Sequence, residues 1–176
     1  MILTIVRAAN LADAEAIADV HVTSWRESYE GIVPKAILDT LSLSERTEKW
    51  QRILTQVGGQ PVHVAEQGGR LVGFAQGGKK LSDELGQEME LYAIYLLSDA
   101  KRQGVGTRLL KAVVNDFIRL GANSAGLWVF KENYSARRFY EHFGAHPAAE
   151  KVDNRFGHQL VDVGYVWTDL KRSFSS

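Results

Sequence analysis

The run Lys101-Arg102-Gln103-Gly104-Val105-Gly106-Thr107 links an apolar, strand-like stretch to an amphipathic, helix-like one, and its residue types suit an anion. At the first turn of a helix several backbone N–H groups lack internal partners, and the helix dipole adds partial positive charge there. Gly104 and Gly106 keep side chains out of the way of those amides, while Lys101, Arg102 and Arg108 add local charge. The expected ligand is a diphosphate. By itself Gly-x-Gly fits equally an ordinary strand-to-helix turn that needs one flexible residue. A dinucleotide fold would place a third glycine where Leu109 stands, and no Gly-x-x-x-x-Gly-Lys-Ser/Thr run occurs, so neither a dinucleotide nor an ATP phosphate loop is supported.

Other chemistries are narrowed by what is missing. The chain has no cysteine, which excludes thiol nucleophiles, disulfides and thiolate metal sites. Its five histidines form no ligand pattern: His142 and His146 are four apart, but Gly144 between them should end a helix, so no metal is expected. Lys plus Arg and Asp plus Glu are both 21, and this balance gives no reason to expect a nucleic-acid or membrane-surface partner. Met1 to Arg7 lacks the basic region and long apolar segment of a secretion signal, and no apolar run approaches a membrane span. A cytoplasmic protein is expected.

The elements that must position the turn are legible from periodicity. Ile2 to Arg7 is a β-branched strand candidate, and Asn10 can cap a helix bearing Ile17, His21 and Trp25 at three-and-four spacing. Pro34 to Leu41 and Ser44 to Val57 read as two more helices, the second with a serine cap, and Gly58-Gly59 closes the region. Pro61 to Glu66 and Arg70 to Gln76 flank Gln67-Gly68-Gly69 as an antiparallel hairpin. Gln87 to Leu97 predicts a strand with Met89, Leu91, Ala93, Tyr95 and Leu97 on one face and Glu90, Tyr92, Ile94 and Leu96 on the other. Gly104 to Leu120 is the strongest helix, followed by a strand at Gly126 to Phe130, an Asn-capped helix at Asn133 to Phe143 and a last strand at Val161 to Leu170. Strands on both sides of these helices predict an α+β layer arrangement in one domain spanning the 176 residues, with no repeat or linker.

The segment Glu90-Leu91-Tyr92-Ala93-Ile94-Tyr95-Leu96-Leu97 through Lys101-Arg102-Gln103-Gly104-Val105-Gly106-Thr107-Arg108-Leu109-Leu110 closely resembles the central motif of the GCN5-related N-acetyltransferase (GNAT) family. Leu127 to Asn133, followed by Ala136, Phe139-Tyr140-Glu141 and Phe143-Gly144-Ala145, resembles the family's next motif. Two motifs at the expected separation are more specific than either alone. One departure is Lys101, where the family usually has Arg or Gln; it keeps the charge and loses the planar fork.

The resemblance implies a mixed, mostly antiparallel sheet splayed into a V, with helices on both faces and acetyl-CoA in the cleft. Its pyrophosphate would sit on the amides from Arg102 to Thr107, with Lys101 alongside, and its pantetheine arm would pair with the strand edge around Ile94, Tyr95 and Leu96 and be held by Asn133. Tyr140 would be the general acid at the coenzyme sulfur; its other reading is a core aromatic beside Ala136 and Phe143. Glu90 is the candidate base, with substrate anchor or plain surface carboxylate as the alternatives. Trp25, Tyr29 and Tyr92 would contact the acceptor, although core packing suits Trp25 equally. The activity implied is transfer of acetyl to a primary amine of a small molecule, in a protein often homodimeric. Alternatives are a ribosomal-protein-type N-terminal acetyltransferase, disfavoured because Trp128 stands where those carry a glutamate, and a non-catalytic acyl-CoA-binding module.

Overall fold

The computed structural model describes residues 3–56 and 60–175. Strands β1 (Thr4–Ala8), β2 (Val62–Gln67), β3 (Arg70–Lys79), β4 (Met89–Leu96), β5 (Ala125–Phe130), β6 (His146–Asp153) and β7 (Leu160–Trp167) form one sheet in the order β1-β2-β3-β4-β5-β7-β6. Helices α1 (Ala14–Tyr29), α2 (Lys35–Asp39), α3 (Leu43–Thr55), α4 (Val105–Arg119), α5 (Tyr134–His142) and α6 (Leu170–Ser173) pack around it. Every neighbouring pair is antiparallel except β4 and β5, which are parallel and joined only at Met89 with Ala125 and Glu90 with Gly126. Beyond those two pairs the strands part, so the sheet opens into the expected V.

Helix α4 covers one face. Its stripe of Val105, Leu109, Leu110, Val113, Val114 and Phe117 is buried in a cluster that also holds Leu127, Tyr165 and Trp167. Fully burying such side chains stabilises by roughly 1.5–3 kcal/mol each. The other face carries α1 and α3, with Ile17, Ala18, Trp50, Val64 and Phe74 in a second cluster. Contact is closest at Gly77 of β3, where an added Cβ would come within 2.5 Å of Phe117 Cζ and 2.9 Å of Val113 Cγ1. A larger residue there would push α4 off the sheet.

Several expectations need correction. The strict alternation along β4 fails, because Gln76 pairs with Ala93 and Gly77 with Leu91, leaving Tyr92 as an extra residue in a β-bulge. Met89, Leu91, Ile94 and Leu96 therefore share the α4 face, while Ala93, Tyr95 and Leu97 face α1 and α3. The cap of α3 is Ser42, whose hydroxyl accepts from the Glu45 amide, so the helix begins at Leu43 and not at Ser44. The last strand stops at Trp167, and Leu170 opens α6 behind an Asp169 cap. Strand β6 was not expected: it is an edge strand, mostly exposed, and a half-polar run with a proline near its start lacks the apolar alternation of a covered strand. Ile2, Val57, Gly58 and Gly59 lie outside the described residues. Among those described, no helix is long and apolar enough to cross a membrane.

One polar side chain is built into the second cluster. His21 of α1 is 8% exposed, takes the Trp50 indole N–H on Nδ1 at 3.2 Å and stacks on Tyr95 at 5.5 Å. Burial, reinforced by Arg46 and Lys49, depresses its pKa to about 3. An unfolded-state histidine titrates near 6.5, so between the two values the unfolded chain binds a proton that the folded chain refuses. Stability should then fall as pH drops through that window, with this residue adding up to about 1.4 kcal/mol per pH unit to the slope. Urea unfolding at several pH values is expected to show a shallower acid dependence for His21→Gln than for the wild type; parallel curves would contradict the assignment.

Candidate active site

The turn before α4 is shaped by two residues in the left-handed region, Arg102 at φ 60° and Gly104 at φ 77°. That alternation turns successive N–H groups toward a common point, the geometry of an anion nest. The first helical bond runs from the Arg108 amide to the Gly104 carbonyl at 3.1 Å. No group among the described residues accepts from the amides of residues 102–107. The role of Gly104 is conformational, since an added Cβ would meet nothing within 4 Å. At Gly106 a Cβ would lie 3.4 Å from Leu96 Cδ1, an ordinary contact, so its openness serves approach to the backbone.

The side chains around the turn divide. Lys101 Nζ donates to Ser28 Oγ at 3.3 Å, and Lys101 and Arg102 line the cleft. Gln103 points away, donating to the Asp99 carbonyl at 2.6 Å, and Val105 is buried in the core, so these two can offer only backbone. Arg108 keeps its charge near the turn but does not line the cavity: its guanidinium donates to the Thr4 carbonyl at 2.9 Å, fastening α4 to β1.

From this turn a cavity of about 1080 Å³ follows the gap between β4 and β5 through the sheet. Leu91 to Leu96 lie along it, unpaired on the β5 side, and Asn133, Tyr140 and Glu90 also line it. The Asn133 carbonyl oxygen caps α5 by accepting from the Ala136 amide at 3.2 Å. Its amide NH₂ is left for a ligand. Tyr140 is 7% exposed, wedged against Phe139 and Trp167. Burial, and then the neighbouring Tyr95, push its pKa well above the usual tyrosine range, so the phenol keeps its proton at neutral pH. Glu90 stands where β4 and β5 last pair; one oxygen accepts from the Leu81 amide at 2.9 Å.

On the α1 side the wall is aromatic. Tyr29 and Tyr95 share a hydrogen bond between hydroxyls at 2.9 Å, and the Trp25 ring meets Tyr29 edge-on at 4.9 Å. Tyr95 therefore presents its side chain to the α1 side of the cavity, and only its backbone faces the β4 edge. Trp25 Nε1 is buried without a partner in bonding geometry; burial raises the Tyr95 pKa, and Tyr29 and the nearby indole offset this only in part. Tyr92, the bulge residue, donates its hydroxyl to the Lys79 carbonyl. Trp25, Tyr29 and Tyr92 thus all line the same cavity as Tyr140 and Glu90. Sequence reasoning missed the far wall, contributed by Trp128 and Phe130 of β5, Lys151 and Asp153 of β6, Arg155 of the turn between β6 and β7, and Asp162 of β7. Asp162 left a signal, a lone carboxylate inside the apolar run Leu160-Val161-Asp162-Val163.

The profile of the Acetyltransferase (GNAT) family matches residues 20–145. An uncharacterized N-acetyltransferase of Bacillus subtilis, YuaI, is 38% identical over 167 residues, covering 94% of this chain and 93% of that protein. This chain is a member of the GNAT acetyltransferase family. The GNAT fold is equally evident among solved structures. PaiA N-acetyltransferase of Thermoplasma acidophilum in complex with coenzyme A superposes with a TM-score of 0.71 at 21% identity, covering 92% of this chain and 98% of that one. YncA, a putative acetyltransferase of Salmonella typhimurium with acetyl-CoA, does so with a TM-score of 0.72 at 21% identity, covering 95% and 94%.

The two glycines of the GNAT turn should separate in a melting experiment. Gly104→Ala forces a left-handed alanine and is expected to cost about 1–2 kcal/mol. Gly106→Ala, inside the first turn of α4 with no contact under 3.4 Å, should leave the free protein at least as stable. Equal losses would contradict the assigned roles.

Proposed function

We propose that the protein moves an acetyl group from acetyl-CoA to a primary amine of a small molecule, both substrates being bound at once. The observation that carries this reading is the single cavity that joins the unsatisfied amides of residues 102–107 to Tyr140 and Glu90 along an unpaired strand edge. The amide fan suits a diphosphate: it supplies donors without side-chain reorganisation, and Lys101 and Arg102 add charge. The β4 edge suits the pantetheine amides, which complete the hydrogen bonding that β5 does not supply, and the Asn133 amide adds a donor. The thioester arrives activated, so the residues here need only place the amine and manage protons.

An alkyl ammonium must lose a proton before its nitrogen can attack. Glu90, directly or through a water, accepts that proton and passes it to solvent. As the C–S bond breaks, the Tyr140 hydroxyl donates to the departing sulfur. A thiolate desolvated in the same apolar surroundings is a stronger base than one in water, which offsets the raised pKa of the phenol. Tyr140 is then reprotonated by the second proton leaving the nitrogen. Two protons leave the ammonium, one ending on sulfur and one in solvent, and a neutral amide remains. Tyr92 and the Trp25–Tyr29 pair wall the acceptor's path, the latter as an apolar surface.

An acceptor screen followed by release of free CoA tests the activity. Tyr140→Phe is expected to lower kcat by roughly 10²–10⁴ with little change in the KM for acetyl-CoA. Unaltered kcat would remove Tyr140 from the mechanism. Glu90→Gln should abolish the acidic limb of the pH–rate profile. A rise in amine KM with that limb intact would make Glu90 a binding group.

A further inference from the structure

We propose that Asp162 is the seat for the acceptor's ammonium group and that this protein selects amines carried on an apolar or aromatic body. The inference deepens the amine-acetyltransferase reading and rests on it. Asp162 lies on the cleft face of β7, opposite Phe130 in the β5–β7 pairing and opposite Lys151 in the β6–β7 pairing. It is 5% exposed and lines the cavity, yet among the described residues nothing donates a hydrogen bond to its carboxylate. Buried carboxylates are normally paired or fully hydrogen-bonded, because desolvation disfavours the charge.

The neighbouring cations are committed elsewhere. Arg155 forks onto Asp153, through Nε at 2.6 Å and through its backbone amide at 2.9 Å, and comes only within 3.8 Å of Asp162. Lys151 lies over the Trp128 ring at 3.8 Å and bonds Glu84 at 2.9 Å. Asp153, Glu132 and Tyr29 complete the titratable groups acting on or near Asp162, and none of them brings a positive charge. Burial, then Asp153, raise the Asp162 pKa, and the loose approach of Arg155, with Lys151, offsets them only in part.

The cavity lining beside Asp162 is aromatic. Phe130 meets Tyr29 edge-on at 5.1 Å, and Trp25 stands beyond Tyr29. Ring faces attract cations and exclude anions, and they favour an apolar body behind the ammonium. Glu90, Asp153 and Asp162 outnumber Lys151 and Arg155 on this half of the cavity, whereas Lys101 and Arg102 flank the turn before α4. A cationic nitrogen is drawn to one end and a diphosphate to the other.

The test is calorimetry on the CoA-loaded protein with phenethylamine and its neutral counterpart phenethyl alcohol. The wild type should prefer the amine by about 10-fold or more, and Asp162→Asn should erase that preference. The variant should keep its CoA affinity and melt no lower than the wild type, since it loses a buried charge met only by Arg155 at 3.8 Å and no hydrogen bond. Absence of an amine preference in the wild type, its persistence in Asp162→Asn, or failure of that variant to fold would each overturn the proposal, the last by showing a structural load on Asp162. Amine selectivity that follows Asp162 without acetyl transfer would instead refute the activity and leave the seat standing. Acetylation of amines with a KM indifferent to Asp162→Asn would do the reverse.

Discussion

The parting of β4 from β5 after two residue pairs is the constraint on which the cleft depends. A strand edge inside a fold cannot be left bare, because each unpaired N–H or carbonyl removed from water costs free energy. Here the edge from Leu91 to Leu96 stays open because the cavity beside it reaches solvent and because a ligand backbone can complete it. The rest of the sheet holds the gap apart. Helix α4 packs on β1 to β4, and the pairing of β5 with β7 on its far side keeps β5 from closing on β4.

The bulge at Tyr92 turns that gap into a usable site. Without it Tyr95 would point to the α4 face, and the wall formed with Tyr29 and His21 would not exist. With it, one strand gives Leu91, Ile94 and Leu96 to the α4 core and Tyr95 to the acceptor side. The two ends of the cleft then use different chemistry. Backbone amides gather at the turn before α4, where partial charge is supplied by geometry, whereas the other end is lined by the carboxylates of Glu90 and Asp162.

Much of this was legible in the chain. The turn before α4, the Asn133 cap and the stripe of α4 are local, each set within a few residues, so composition and spacing sufficed for them. The edge strand β6 was missed because its partner covers neither of its faces, and without burial there is no alternation to read. Arg155, in the turn between β6 and β7, and Asp162 escaped for a related reason: a charged residue in a turn or near a strand end looks like surface until the segment is known to border a cavity.

Sequence by itself determined the elements, the left-handed capacity of Gly104 and the family motifs, because those depend on local sterics and hydrogen bonding. Tertiary structure alone decided which side chains meet. It placed Arg108 on the Thr4 carbonyl, turned Gln103 and Val105 away from the cleft, and brought Tyr29, from a helix more than sixty residues earlier in the chain, against Tyr95. Strand register carries that information: one extra residue reverses the facing of everything after it, and no local preference of Tyr92 announces that it will be the one left out.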